Sequence, residues 1–190
     1  MKKWRKNEAM INNALESYFK KLNVFFENEF GSLPTVSYTD RLNKKLVVSE
    51  PDEDYEVEWQ PKEQAENIDW NEVEEKLGFT LCEELKNYYS AYSFLMMAGD
   101  YKKAYLDFTP IDATESVVDT IKKAYRDGSF YFPNKQVLLI GGAEIGNNDD
   151  YFIFYDNETG KVFCLDDDTK KEVALADTLE EIIAEMEAGI

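Results

Sequence analysis

Apolar residues recur at spacings of three and four near the start of the chain, and this pattern predicts an amphipathic helix over residues 7–30. Gly31 and Pro34 indicate where the helix ends. We expect residues 1–32 to pack as an N-terminal helix on the rest of one domain that spans residues 1–190. The apolar stripe is made of Ile11, Leu15, Tyr18, Phe19, Leu22, Phe25, Phe26 and Phe30.

The next segment predicts shorter elements. Residues 46–48 suit a short strand, and residues 55–59 alternate apolar with polar side chains, as a strand with one wet face does. Asp69, followed three residues later by Glu72, is typical of a helix N-terminus, and Gly78 of its C-terminal end.

The centre of the chain predicts two helices and a hairpin. The helices are expected over residues 82–90 and 113–127, the second closed by Gly128. Apolar and aromatic residues over 93–109 are interrupted by Gly99 and Asp100, which predicts a β-hairpin that turns there.

The last third predicts strands followed by one helix. A buried strand over 137–140 leads into a glycine-rich loop over 141–150, and a hairpin follows over 151–165. Residues 172–175 suit a short edge strand, and Thr178 opens a final amphipathic helix. Helices followed by a meandering sheet and a last helix predict a single α+β domain.

Acidic residues outnumber basic ones by 39 to 21, a net charge of −18, and they are concentrated. Residues 50–86 hold fourteen acidic residues and three lysines, whereas residues 1–49 carry a net positive charge. Nucleic acids and anionic lipid surfaces would repel such a chain, so neither is an expected partner. A basic protein surface is the expected partner. The alternative is that the acidity serves only solubility.

The residues that most enzymes use are missing or badly spaced. The chain has no histidine, which excludes the histidine-dependent triads and the common zinc motifs. A pair of carboxylates acting as acid and base remains open as an alternative. Residues 141–146 suit a turn better than a phosphate cradle, and the acidic runs at 147–150 and 166–168 suit solvated turns better than Ca²⁺ loops. We expect no catalytic residue, no cofactor and no metal.

The N-terminus and the two cysteines predict where in the cell the protein is found. The N-terminus has no apolar signal-peptide core, and no run of residues is long enough to span a membrane. Cys82 and Cys164 are too few and too far apart in sequence for a disulfide framework or a CxxC motif. A cytoplasmic protein with reduced thiols is expected.

Several stretches resemble the SUKH superfamily. Residues 77–89 resemble its helix, Leu-Pro and helix segment, with Cys82 where proline is usual. Residues 138–163 resemble its strand, glycine-rich turn and hairpin, and residues 176–182 its C-terminal helix. The long first helix, residues 56–61 and residues 94–100 are similar to the Syd branch. The resemblance covers almost the whole chain through short motifs in the same order.

This resemblance implies a curved mixed or antiparallel sheet flanked by helices, and no catalysis. Many SUKH members look like immunity proteins that neutralise a toxin, and Syd is similar to a factor that binds the SecY translocon from the cytoplasm through an acidic surface. We therefore expect a monomeric, non-enzymatic binding module for a basic toxin or, alternatively, for SecY. Trp59 is an interface anchor in one interpretation and a core residue in the other. The expected partner-binding residues are Asp52, Glu53, Asp54, Glu56, Glu58, Trp59, Asp100 and Tyr101.

Overall fold

A seven-stranded sheet organises the structure, a computed structural model that describes residues 4–65, 67–112 and 114–189, with side chains from Met10 onward. Every strand pair is antiparallel, and the sheet curls into a half-barrel, so the α+β prediction is confirmed and the sheet is not mixed. Its strands, from one edge to the other, are β10 (Glu172–Ala176), β9 (Val162–Asp166), β8 (Asn148–Asp156), β7 (Val137–Ile145), β6 (Ala104–Phe108), β5 (Ala98–Tyr101) and β11 (Glu187–Ala188).

Two small ribbons and five helices surround this sheet among the described residues. One ribbon pairs β1 (Thr35–Ser37) with β2 (Glu56–Glu58), and the other pairs β3 (Lys62–Glu63) with β4 (Tyr92–Ser93). The helices are α1 (Trp4–Phe30), α2 (Trp70–Leu77), α3 (Glu83–Ala91), α4 (Val117–Tyr131) and α5 (Leu179–Glu185). Within the parts of the chain that are described, no helix is long and apolar enough to cross a membrane.

The period-two alternation of the strands divides the sheet into two buried faces. Along β8, Ile153 and Tyr155 join the main core, while Phe152 and Phe154 belong to a smaller aromatic cluster on the other face. Phe132, at the end of α4, packs edge-on against Phe154 and covers that cluster. The large core lies between the sheet and the helices, and all five helices contribute buried residues to it.

Helix α1 confirms the predicted N-terminal helix, and its apolar stripe packs against α3 and α5. The Tyr18 hydroxyl is buried, donates to the Ala98 carbonyl at 2.8 Å and accepts from the Ala98 amide at 2.9 Å. Lys21 donates to the Met186 carbonyl just after α5. Polar side chains on α1 thus pair the backbone groups of strand β5 and of the α5 C-terminus.

The predicted helix caps form as expected. The Asp69 carboxylate accepts from the amides of Asn71 and Glu72 at the start of α2, and Gly78 ends that helix in the left-handed conformation. Thr178 caps α5 through the Glu181 amide. These signals could be read from the sequence because each cap satisfies its own helix within four residues.

Several glycines play a different part from the one predicted. Gly99 and Asp100 lie inside β5, and the hairpin turns at Lys102 and Lys103 instead. A side chain on Gly99 would meet the Glu187 carbonyl of β11, so glycine is needed there for close strand contact. Gly128 does not close α4 but lies within it, against the backbone of β7.

Two further predictions about loops and strands are wrong. The expected loop over 141–150 is largely strand, because β7 continues to Ile145 and β8 begins at Asn148. Residues 46–48 form only a single bridge, between Val47 and Trp59. The helix predicted over 113–127 begins at Val117, and residue 113 lies outside the described residues.

Candidate partner-binding groove

A groove of about 800 Å³ lies beside the C-terminal end of α1 and the β1–β2 ribbon. Four carboxylates from the acidic segment line it, those of Glu50, Asp52, Glu56 and Glu58. Apolar side chains complete its lining: Phe26 and Phe30 of α1, and Met96. The groove thus combines a charged side with an apolar side.

The loop that carries Asp52 is held by its own side chain. One oxygen of the Asp52 carboxylate accepts from the amides of Asp54 and Glu56, at 2.9 and 2.8 Å. The Asp52 amide in turn donates to the Glu56 carbonyl at 2.9 Å, and Tyr55 takes a positive φ of 60° at the tip. These hydrogen bonds close the turn that leads into β2, so its exposed carboxylates are attached to an ordered backbone.

Glu56 and Glu58 point the same way from β2, on either side of the buried Val57. One oxygen of Glu56 accepts from the Thr35 hydroxyl at 2.7 Å, and one oxygen of Glu58 accepts from the Leu33 amide at 3.3 Å. Both carboxylates are half-buried and each is anchored through one oxygen. The second oxygen of each has no such bond among the described residues, and is available to a ligand.

No lysine or arginine in the described part of the chain lies within ion-pair distance of the four groove carboxylates. The last turn of α1 adds no basic side chain, and it ends beside the groove at Phe30. The unpaired carbonyls of a helix C-terminus carry partial negative charge, which also favours a cation. The negative charge of the groove is therefore not neutralised by a basic side chain among the described residues.

The apolar side of the groove explains an unusual exposure. Phe30 is 56% exposed although it is large and apolar, and its ring packs on those of Phe25 and Phe26. Lysine and arginine carry an apolar stem behind the charged group, and the stem packs on apolar surface while the head stays near charge or water. A basic side chain laid across Phe30 with its head among the carboxylates satisfies both sides of the groove.

The structure places the expected partner-binding residues in several different environments. Asp52, Glu56 and Glu58 line the groove, and Glu53 and Asp54 are exposed on the turn next to it. Asp100 is exposed but lines a different depression, together with Lys102 and Lys103. These groups are not all on one surface.

Trp59 and Tyr101 are core residues. Trp59 is 0% exposed and meets Phe19 of α1 edge-on, so its interpretation as an interface anchor is wrong and the core alternative is right. Tyr101 is 2% exposed, and its hydroxyl donates to Glu181 at 2.9 Å. Their side chains do not present a surface to a partner, because strand alternation turns both inward.

Glu50, Phe26, Phe30 and Met96 line the groove but were not among the expected site residues. Glu50 belongs to the acidic segment and could have been included on charge alone. Phe26 and Phe30 belong to the apolar stripe of the first helix. The periodicity of a stripe does not show which of its residues are covered by the rest of the fold and which line a groove. Met96 approaches from a segment distant in sequence, and no local pattern indicates it.

The cysteines and the acidic turns show no sign of a reactive or metal-binding centre. Burial raises the pKa of the Cys82 thiol and, to about 12, that of Cys164, which opposes thiolate formation. Among the described residues no group of three or more potential ligands could hold a metal ion. In the acidic turn after β9, the Asp166 carboxylate accepts from the amides of Asp168 and Thr169, so it shapes the turn.

Comparison with known families agrees with the resemblance seen in the sequence. The model of the SMI1 / KNR4 family (SUKH-1) matches residues 64–185, and that of the Syd protein family (SUKH-2) matches residues 12–111. No curated protein matches the chain. The two matches overlap around α2 and α3, and each covers more than half of the chain. Together they run from residue 12, within α1, to residue 185, at the end of α5. The chain belongs to the SUKH superfamily and is Syd-like in its N-terminal half.

Proposed function

We propose that this protein is a non-enzymatic binding module that holds a basic protein partner in its acidic groove, and that the partner is a toxin it neutralises. Membership of the SUKH superfamily is consistent with an immunity-type or Syd-like protein-binding role. The observation that carries the proposal is the groove itself, where four carboxylates meet without a cation among the described residues.

The groove favours a protein ligand over a free ion. Its charged side suits a lysine or arginine head, and Phe30 with Met96 offers the apolar contact that an inorganic cation cannot use. Complementary charge of this kind accelerates encounter and rejects acidic partners. We include Glu50 in the proposed site and place Glu53 and Asp54 at its rim. Asp100 would belong to a separate contact.

A second candidate partner is the SecY translocon. The Syd match spans residues 12–111, which include all the residues that line the groove, so the same surface serves this alternative. Cytoplasmic loops of membrane proteins are enriched in lysine and arginine, as toxin surfaces that bind nucleic acid are. In either role we propose a cytoplasmic monomer that reaches the inner face of the membrane only through a protein, with no direct lipid or nucleic-acid binding.

A carboxylate-pair hydrolase is the third and weakest candidate. Such an enzyme needs two acids in an apolar, water-excluded cleft with different protonation states. Glu50 and Asp52 are exposed, and Glu56 and Glu58 are half-exposed and bonded to Thr35 and Leu33. These surroundings suit carboxylates that stay ionised and attract a cation.

The test replaces Glu56 and Glu58 together by glutamine. Glutamine keeps an oxygen that can accept from Thr35 and Leu33, whereas charge reversal to lysine also removes those anchors, so E56Q/E58Q isolates the charge. The matched control, E158Q/E172Q, removes two exposed carboxylates outside the groove. Binding is measured by calorimetry at low and high salt, with a toxin encoded beside this gene and with purified SecY as the two partners.

We expect E56Q/E58Q to weaken binding about tenfold at low salt and to reduce its salt dependence, while the control binds normally. E56K/E58K should weaken binding further. Equal affinity of E56Q/E58Q and the unmodified protein for a bound partner would show that the groove is not the site. Growth rescue from the toxin, compared with affinity for SecY, separates the two roles.

A further inference from the structure

Strand β1 presents an open edge beside the acidic groove. The Tyr38 amide donates to the Tyr55 carbonyl at 2.7 Å, which fixes the residues through which β1 bonds to β2. Antiparallel strands bond through every second residue, so Thr35 and Ser37 direct their amides and carbonyls away from β2. These four backbone groups have no hydrogen bond in the part of the chain that is described, and Ser37 is exposed.

The outer edge of β2, in contrast, is already occupied. Glu56 and Glu58 direct their backbone groups away from β1, and the segment before them binds these groups. The Glu58 carbonyl accepts from the Val48 amide at 2.9 Å, and the Glu58 amide donates to the Ser49 hydroxyl at 2.9 Å. Asp52 binds the carbonyl and the amide of Glu56 in the same way. A further strand can therefore extend this ribbon only at β1.

The side chains of the ribbon indicate what such a strand would carry. Thr35 lies opposite Glu58 in the ribbon, and Ser37 lies opposite Glu56. Directly paired residues share one face, which is here the face of the two groove carboxylates. Neighbouring strands lie about 4.8 Å apart, so the backbone of a strand added to β1 would lie about 10 Å from that of β2. Thr35 and Ser37 are small, and a lysine or arginine side chain is long enough to cross them to the carboxylates.

We infer that the partner adds an antiparallel strand to β1, through an extended segment in which basic and apolar residues alternate. The inference rests on the proposed function and specifies the segment that the basic partner presents. Its basic side chains would reach Glu56 and Glu58, and its apolar ones would lie beside Val36, which packs against the core. Strand addition takes affinity from main-chain hydrogen bonds and specificity from alternate side chains.

The outer edge of the main sheet is a poorer site for the same segment. Strand β10 pairs with β9 through a register shift between Ala174 and Ala176, and Lys170 and Lys171 precede it. Bulges and lysines on an edge strand discourage a further strand, and the lysines also repel a basic one. The pairing of β1 with β2 shows no register shift.

The probe is the capped peptide acetyl-Gly-Lys-Val-Lys-Val-Gly-amide, and its binding to the full chain is followed by NMR chemical shifts at low salt. We expect a Kd on the order of 1 mM. In an antiparallel strand on β1 the lysine amides face β1 and the valine amides face away. N-methylation of the two lysine amides should abolish detectable binding, whereas N-methylation of the two valine amides should leave it unchanged. Both methylated peptides keep the same charge.

A third peptide tests the reach of the basic side chains. Diaminopropionate in place of both lysines keeps the charges but carries each on a one-carbon stem, which is too short to cross Thr35 or Ser37. This peptide should bind about tenfold more weakly than the lysine peptide.

Ser37→Pro tests the same edge from the side of the protein, with Ser37→Ala as the matched control. Proline removes the outward amide and places its ring at the open edge, and it leaves the amides of Val36 and Tyr38 in place for β2. S37P should lose detectable binding of the lysine peptide, and S37A should bind it normally. Thermal unfolding checks that both variants fold; if S37P does not, the methylated peptides carry the test on the unmodified protein.

Three outcomes would overturn the added strand: equal binding of the two methylated peptides, normal binding by folded S37P, or failure of the lysine peptide to bind. None of them tests the proposed function, which depends on the affinity of E56Q/E58Q for the whole partner. Weaker binding of the toxin or SecY by E56Q/E58Q, together with equal binding of the methylated peptides, would keep the acidic groove and reject the added strand.

Discussion

Gly141 and Gly142 are neighbours in β7, and the structure assigns them opposite responses to the same substitution. A Cβ on Gly141 would lie 2.3 Å from the carbonyl oxygen of Asp107 and 3.0 Å from the Cα of Phe108, both backbone atoms of β6. On Gly142 the nearest atom would be the Tyr151 carbonyl oxygen at 3.7 Å, an ordinary contact. Gly141→Ala therefore requires strand β6 to move, and Gly142→Ala does not.

The magnitudes follow from two opposing terms. Replacing glycine by alanine at a compatible position stabilises a protein by about 0.4–1 kcal/mol, because the unfolded chain loses freedom. Overpacking costs about 1–3 kcal/mol when the surroundings cannot yield. We expect G141A to lower the free energy of unfolding by about 1–3 kcal/mol, and G142A to leave it unchanged or raise it by about 0.5 kcal/mol. For a domain of this size each kcal/mol moves the midpoint by about 2–4 °C.

The assay is urea unfolding followed by tryptophan fluorescence, since Trp59 is fully buried and becomes exposed on unfolding. Thermal unfolding by circular dichroism gives a second measure, and an unchanged m-value shows that the same transition is compared. Equal losses in the two variants, or a larger loss in G142A, would refute the assignment of this segment to a strand packed on β6. A glycine turn here, as the sequence suggested, would instead penalise whichever glycine needed a positive φ.

The other predictions concern a helix, a buried amide and acid stability. Gly128→Ala should destabilise the protein, because the new Cβ would lie 2.2 Å from the Val137 carbonyl oxygen. Alanine is favoured over glycine in helices by about 1 kcal/mol, so a fall of the midpoint in thermal unfolding would show that the clash outweighs this preference. Asn157→Ala should lower the free energy of unfolding by about 2–4 kcal/mol in urea unfolding, and the control Glu158→Ala should leave it nearly unchanged. The reason is that the buried Asn157 side chain accepts from the backbone amide of Cys82 and donates to a backbone carbonyl and to a second side chain. The amides of the turn hold the pKa of Asp166 below its usual range, so its stabilising effect is complete above the unfolded pKa and disappears as the pH falls through the folded one. Asp166→Asn should flatten stability against pH over that acid range and leave neighbouring ranges unchanged.

The order of short motifs along the chain was sufficient to indicate the SUKH superfamily. Helix α1 was predictable because 3.6-residue periodicity over a long segment has few competing interpretations. The caps at Asp69 and Thr178 were predictable because a cap is satisfied by its own helix. The acidic character of residues 50–86 likewise belongs to composition and does not depend on how the chain folds.

The glycines and the site needed the tertiary structure. Glycine permits a turn, and it equally permits close approach of two backbones, so Gly99, Gly128 and Gly141 look locally like turns although their neighbours come from distant elements. Trp59, which follows β2, presents a similar ambiguity, because the alternation over residues 55–59 separates two faces but does not show which face is covered. The long helix, its caps and the acidity could all be predicted from local patterns. That the carboxylates share one groove with an apolar side is a property of the fold, because Phe30 and Met96 come from segments far from the acidic turn in the chain.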